Sequence, residues 1–167
     1  MIVGDYFKIN NKIILKLKKY IKKNPCCNTT FCNHPKYQSD TNVFNIKDKE
    51  IDNIKNNYFN FIFKTYNKKI SDIIENKCWA FITYKNKKIN SSWHTHKVEK
   101  DTINISGILY LTNTNLGTIF KTKFINFEIN PHINRWFIWD SSILHTPKEG
   151  FVKKDRLILA VTTVLNN

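Results

Sequence analysis

The apolar pattern of this chain changes period once, and that change limits its architecture more than any other feature. Up to Asn76 the apolar residues recur at helical spacing. From Cys78 onward they come in short runs rich in β-branched and aromatic residues, separated by Asn, Gly, Pro or Lys clusters. Helices followed by a succession of strands mean an α+β fold, with the strands closed into a sandwich or barrel.

Ile13, Ile14, Leu17, Tyr20 and Ile21 predict an amphipathic helix over residues 6–23, stopped at Asn24-Pro25 because proline disfavours helix before it. Residues 25–45 are polar and aperiodic and predict a long loop. Asp48 or a neighbour opens a second helical region whose buried face carries Ile51, Ile54, Tyr58, Phe61, Ile62, Tyr66, Ile70, Ile73 and Ile74; one long helix and two shorter ones divided near Tyr66-Asn67 both fit this spacing. Strands are expected at 78–84, 89–96, 103–111, 117–120, 123–129, 135–139 and 156–165. With 167 residues the chain is expected to be one domain, 1–76 forming a helical support and loop and 77–167 the β core.

The net charge of +14 invites a nucleic-acid partner. Arg135 and Arg156 are the only arginines, however, and the Lys, Asn and Ile excess is what an AT-rich genome, viral or otherwise, favours through its codons. The charge therefore names no partner by itself. The basic first helix can lie on a membrane surface or pack on a sheet, and packing is the expectation. No apolar run approaches the roughly 20 residues that span a bilayer, and no signal peptide is evident, so an intracellular, cytoplasmic chain is expected. Cys26, Cys27, Cys32 and Cys78 make no disulfide framework. Cys27, Cys32 and His34 lie close enough to suggest zinc, without a standard spacing or an evident fourth ligand, and reduced thiols in a loop are expected instead.

His94 and His96 are two apart, so on an extended strand both imidazoles point to one side. His145, expected just after another strand, can supply a third ligand across a barrel. His34 and His132 read as ordinary loop and turn residues. Arg156 heads the last strand and shares a face with Ile158, Ala160 and Thr162. If that face lines an interior, its guanidinium requires an anion, either a bound carboxylate held bidentately or an internal partner such as Asp140.

From about Cys78 to Leu165 the chain resembles the 2-oxoglutarate and Fe(II)-dependent oxygenases, most of all their compact phage and bacterial members. The resemblance rests on the order of Trp93-His94-Thr95-His96, Ser106-Gly107-Ile108-Leu109-Tyr110-Leu111, Leu116-Gly117-Thr118-Ile119-Phe120 and Pro131 to Asp140, then His145 and Arg156. It implies a double-stranded β-helix, or jelly roll, with the helices packed outside it. It also implies iron held by His94 and His145, and the far carboxylate of 2-oxoglutarate held by Arg156. Tyr110 is implied as a supporting hydrogen-bond partner, and Arg135 as structural or substrate-facing. Where the family has Arg-x-Ser this chain has Arg156-Leu157-Ile158, so one hydroxyl contact is missing.

The larger departure is His96, which stands where the family pattern carries Asp or Glu. His96 is expected to be a ligand itself. The alternatives are that Glu99 or Asp101 swings in, or that metal binding and catalysis are lost. The implied activity is hydroxylation of an unidentified substrate, with a peptidyl side chain preferred, and substrate contacts are expected from 25–45 and 97–104. Two other classes remain open: a cupin-like three-histidine dioxygenase that does not use 2-oxoglutarate, and a non-catalytic basic module on the same fold. Arg156 separates the first two, since only a 2-oxoglutarate enzyme needs a carboxylate clamp there. The third predicts lysines interleaved with exposed aromatics.

Overall fold

In a computed structural model, residues 1–26, 38–40, 42–96 and 98–167 are described. They build a helical layer, a five-stranded sheet and a smaller sheet, stacked in that order. Strand β1 (Ile2–Tyr6) precedes helix α1 (Lys12–Lys23), and α2 (Lys49–Tyr66) precedes β2 (Ile73–Thr83) and β3 (Lys88–Ile89). There follow β4 (Thr102–Tyr110), β5 (Thr118–Lys121), β6 (Asn126–Ile129), β7 (Arg135–Asp140), β8 (Leu144–Pro147), β9 (Gly150–Phe151) and β10 (Arg156–Asn166). The large sheet has the order β1-β7-β4-β10-β2 and the small one β6-β5-β8, while β3 pairs with β9. All strand pairs are antiparallel.

Strand alternation divides the large sheet's side chains between two cores. Ile105 and Leu109 of β4, Trp136 and Ile138 of β7, and Leu157, Leu159 and Val161 of β10 face the helices, where they meet Ile13, Leu17, Ile21, Ile51, Ile54, Tyr58 and Ile62. The intervening residues Ile108, Tyr110, Phe137, Trp139 and Ile158 face the small sheet and close on Phe120. A wholly buried Leu17 or Ile62 contributes about 2 kcal/mol by leaving water. These contacts place α1 on the sheet, as expected for its apolar stripe. Tyr58 crosses the helical core to bond Thr163 Oγ1 at 2.9 Å.

Asp48 caps α2 by accepting from the N–H groups of Glu50 and Ile51, and it pairs with Lys16. The helix ends at Asn67 in the left-handed region (φ 53°). With only four glycines in the chain, Asn67, Asn86, Asp101 and Asn134 occupy the left-handed positions. Short polar side chains tolerate this conformation better than other residues.

The structure corrects several expectations. Residues 2–6 form an edge strand paired with β7, and α1 begins only at Lys12. Helix α2 stops at Tyr66, so Ile70, Ile73 and Ile74 do not belong to its buried face. Ile70 and Ile74 are 70% and 54% exposed, beyond the point where Asn67 ends the helical period. The strand expected over 89–96 ends at Ile89, and His94 rejoins the sheet only through one bridge to His145. His145 lies within a strand of its own, β8. Cys26 is disulfide-bonded, not reduced, and its N–H is held by Gln38 O at the neck of the 26–38 segment. Cys27, Cys32 and His34 lie outside the described residues. No helix among the described residues is long and apolar enough to cross a membrane.

A candidate metal centre beside a buried arginine

His94 and His145 face each other across an antiparallel bridge, each N–H donating to the other's carbonyl at 3.0 Å. This hydrogen-bonded pairing sets their side chains on the same side. His96 is anchored at the next turn by its N–H to Ser141 O at 3.0 Å. The ring centroids are 4.4 Å apart for His94 and His145, 5.3 Å for His94 and His96, and 5.2 Å for His96 and His145. One nitrogen from each ring lies within 4.8 Å of the other two. The sequence expectation that these three residues converge is met, although a bridge and a strand, not one continuous strand, bring them together.

Two of the imidazoles have their tautomer set by the backbone. His94 Nδ1 is 2.8 Å from Ser92 O and His145 Nδ1 is 2.8 Å from Ile143 O. A carbonyl only accepts, so each Nδ1 carries the proton and each Nε2 presents its lone pair. Burial pushes the His145 pKa down to about 4, against the pull of its bond to Ile143 O and with help from His94. Burial does the same to His96, also to about 4, reinforced by His145 and His94. Both rings are therefore neutral at pH 7, as ligation requires.

The donor set fits a first-row divalent ion. Three nitrogens bound at about 2.1 Å sit about 3–3.5 Å from one another, which modest ring rotation achieves from the observed spacing. Three imidazoles on one side of an ion leave further coordination positions open. Among the described residues the cluster includes no carboxylate. Asp101 stands exposed on a left-handed turn, and the 99–104 turn is tied by Asn104 to the backbone of Glu99.

The wall behind His145 is aromatic. Phe120 stacks on it at 5.9 Å and Trp139 meets it edge-on at 4.9 Å. Farther along the same interior lies Arg156, only 5% exposed. Its Nε donates to Leu116 O at 3.4 Å, and its guanidinium carbon is 5.6 Å from the Tyr110 ring centroid. The Tyr110 hydroxyl and Thr118 Oγ1 are hydrogen-bonded at 2.8 Å. Burial lowers the Arg156 pKa, with Tyr110 opposing the shift. Burial also raises the pKa of Tyr110, with Arg156 opposing it.

Among the described residues no carboxylate is within ion-pair distance of Arg156. Asp140, the internal partner considered from sequence, is exposed and accepts instead from the N–H and hydroxyl of Ser142. Asp140 pairs with Ile105 at the opposite end of β4 from Tyr110, about 16 Å away at strand rise. Arg135 is exposed and lies over the Phe137 ring at 5.4 Å, on the strand beside β1. The sequence gives no signal for Trp139 or Phe120 as neighbours of the histidines beyond their alternation within strands.

The two histidine tautomers and the low pKa values carry an acid-stability consequence. Unfolded histidine titrates near 6.5, so between about pH 6.5 and 4 the unfolded chain binds more protons than the folded one. Stability is full above pH 6.5 and falls as the pH drops through this window. In the metal-free protein His96 and His145 should each account for a loss on the order of 3 kcal/mol by pH 4. Urea denaturation at pH 7.5, 6 and 5 measures this. A pH-independent midpoint contradicts it, and His96→Asn should flatten the slope.

No protein-family model matches the sequence, and no curated protein sequence matches it. Solved structures do match its fold. A Pseudomonas putida prolyl-4-hydroxylase superposes with a TM-score of 0.67 over 99% of this chain and 92% of its own, at 9% identity. A Trichoplax adhaerens prolyl hydroxylase, in complex with a hypoxia inducible factor peptide fragment, has the same TM-score over 99% and 83% at 8% identity. A viral collagen prolyl hydroxylase from Paramecium Bursaria Chlorella virus-1, in complex with 2-oxoglutarate, matches over 99% and 96% with a TM-score of 0.55 at 10% identity. The chain thus has the double-stranded β-helix fold of the 2-oxoglutarate and Fe(II)-dependent oxygenases, over nearly its whole length, with a cluster of three histidines in it.

Proposed function

We propose that this chain is an Fe(II)- and 2-oxoglutarate-dependent dioxygenase whose metal is held by His94, His96 and His145. One observation carries the proposal. Three imidazoles, two of them held neutral at pH 7 by burial, converge at one end of the interior that buries Arg156 without a carboxylate partner. A buried guanidinium without an anion is costly. A bound dicarboxylate removes that cost, and the planar fork suits a bidentate hold.

Ferrous iron and 2-oxoglutarate, when bound, supply the oxidising power for hydroxylating a substrate C–H bond, with succinate and carbon dioxide as products. The chain's own residues do the positioning. Arg156 holds the far carboxylate, and Tyr110, fixed by Thr118, closes the polar end of that subsite. Ile108, Phe120, Phe137 and Ile158 line the interior between and keep water from it. Trp139 pairs with Ser106, four residues along β4 from Tyr110, so the interior runs about 13 Å from the histidine end to the arginine end. An arginine side chain and a five-carbon dicarboxylate together bridge such a span.

The substrate class we assign is a peptidyl side chain. Trp93 and Val98 flank the His94–His96 segment and are 41% and 49% exposed, an apolar rim suited to a polypeptide. The similar structures that are prolyl hydroxylases point the same way. His96 in place of a carboxylate leaves the metal centre one unit more positive, which strengthens its hold on an anionic co-substrate.

The test is Fe(II)- and oxygen-dependent conversion of 2-oxoglutarate to succinate by the purified chain. Conversion that is lost in His145→Ala and in Arg156→Ala supports the proposal. Metal-dependent oxygen consumption that ignores 2-oxoglutarate would favour the cupin-like three-histidine chemistry, because the histidine cluster alone serves both.

A further inference from the structure

Strand β7 carries two tryptophans whose indole N–H groups are both buried and both without a hydrogen-bond partner. They lie on opposite faces of the strand. Trp136 faces the helices and packs at 4.9 Å from the Tyr58 ring in the large closed core. Trp139 is 3% exposed and faces the other way, into the interior shared by His145 and Arg156. Its ring meets Phe120 at 5.0 Å and His145 at 4.9 Å, edge-on to both.

Apart from His145 Nε2, to which it is not bonded, the side chains packed on Trp139 offer it no free acceptor. Ile108, Phe120, Phe137 and Ile158 are apolar, and the Tyr110 hydroxyl is engaged with Thr118. A buried donor left unpaired costs free energy, and an indole can only donate. An oxygen acceptor arriving in this interior would satisfy it.

We propose that Trp139 is a binding residue for the 2-oxo acid: its Nε1–H donates a hydrogen bond to the carboxylate oxygens at the histidine end, while Arg156 holds the opposite end. The inference rests on the function proposed above. It assigns the two ends of one dicarboxylate to two donors of different kind, a neutral indole beside the metal and a cation at depth. A neutral donor suits the histidine end, where the metal already supplies the positive charge.

The test reads the indole protons directly. The chain has four tryptophans, Trp79, Trp93, Trp136 and Trp139, so its ¹H–¹⁵N spectrum holds four indole signals. They are assigned by single Trp→Phe substitutions and followed in the Zn(II)-loaded protein as 2-oxoglutarate is added. The expected result is a downfield shift of the Trp139 proton with slowed solvent exchange, while the Trp136 signal stays in place. Trp139→Phe should weaken 2-oxoglutarate binding about tenfold with unchanged metal affinity. If Trp139→Phe does not fold, assignment from the other three substitutions still identifies its signal in the wild type.

A wild type that binds 2-oxoglutarate without moving the Trp139 signal overturns this inference alone. So does a folded Trp139→Phe with full affinity. A wild type that binds metal but no 2-oxoglutarate overturns both this inference and the function it rests on.

Discussion

Replacing Arg156 by methionine is expected to leave the metal-free chain at least as stable as the parent while removing most of its affinity for 2-oxoglutarate. The guanidinium is 5% exposed, with no carboxylate within ion-pair distance among the described residues; it meets Leu116 O through one long bond and the Tyr110 side chain through its ring and its hydroxyl. Exchanging a buried charge for an apolar side chain of similar length is commonly neutral or stabilising by about 1–4 kcal/mol. Removing the charged partner of a bound carboxylate costs about 2–5 kcal/mol, so binding should weaken by roughly 30-fold or more. Thermal unfolding of the metal-free protein and calorimetric titration of the metal-loaded protein with 2-oxoglutarate measure the two halves. Methionine that unfolds the apo chain would mean that Arg156 is a structural element. Methionine that leaves binding intact would remove it from the co-substrate site.

The second large effect concerns Gly117, which sits where β5, β6 and the turn after β8 meet. Its N–H bonds Glu128 Oε1 at 3.3 Å, its carbonyl accepts from Lys148 N–H at 3.0 Å, and Glu128 also pairs with Lys148. A Cβ here would stand 2.1 Å from the Ile129 backbone oxygen, a contact no side-chain rotation relieves. Gly117→Ala should therefore push β6 off β5 and destabilise the chain by about 3 kcal/mol. Because β5 carries Phe120 against His145, metal affinity should fall as well. Gly107→Ala makes a useful contrast. Its Cβ would meet the Val161 methyl at 2.9 Å, Ile138 Cγ2 at 3.2 Å and the Phe137 carbonyl oxygen at 3.3 Å, all looser than the 2.1 Å contact at Gly117, so the cost should be smaller. Equal denaturation midpoints for Gly117→Ala and the wild type would contradict the assigned clash.

The sequence made the β core legible because strand alternation survives in β4, β7 and β10, whose two faces bury different sets of residues. It made α2 legible because Asp48 and Asn67 mark its ends chemically. It concealed β1, whose five residues Ile2–Tyr6 are only half-buried at an edge and show no clean alternation. It also blurred the end of α2, since Ile70, Ile73 and Ile74 continue a helical spacing after the chain has turned.

The histidine set could be proposed from spacing, but its geometry could not. His94 is placed by one isolated bridge, and the tautomers of His94 and His145 are set by carbonyls two residues back. Trp139 was invisible as a site residue, because an aromatic residue in a strand looks the same whether its N–H meets core or ligand. The four positive-φ positions held by Asn and Asp show a further point: in a chain with only four glycines, asparagine and aspartate serve as turn formers.

The proposed metal centre turns on His96 acting as a ligand at the position where the family pattern this chain resembles carries Asp or Glu. Anaerobic Fe(II) titration of the wild type, His96→Ala and His96→Asp, with 2-oxoglutarate present and the metal-to-ligand charge-transfer absorption as signal, tests this most directly. The predicted result is one iron per wild-type chain with the absorption present, loss of both in His96→Ala, and recovery in His96→Asp. Wild-type iron affinity and an unchanged absorption in His96→Ala would contradict it.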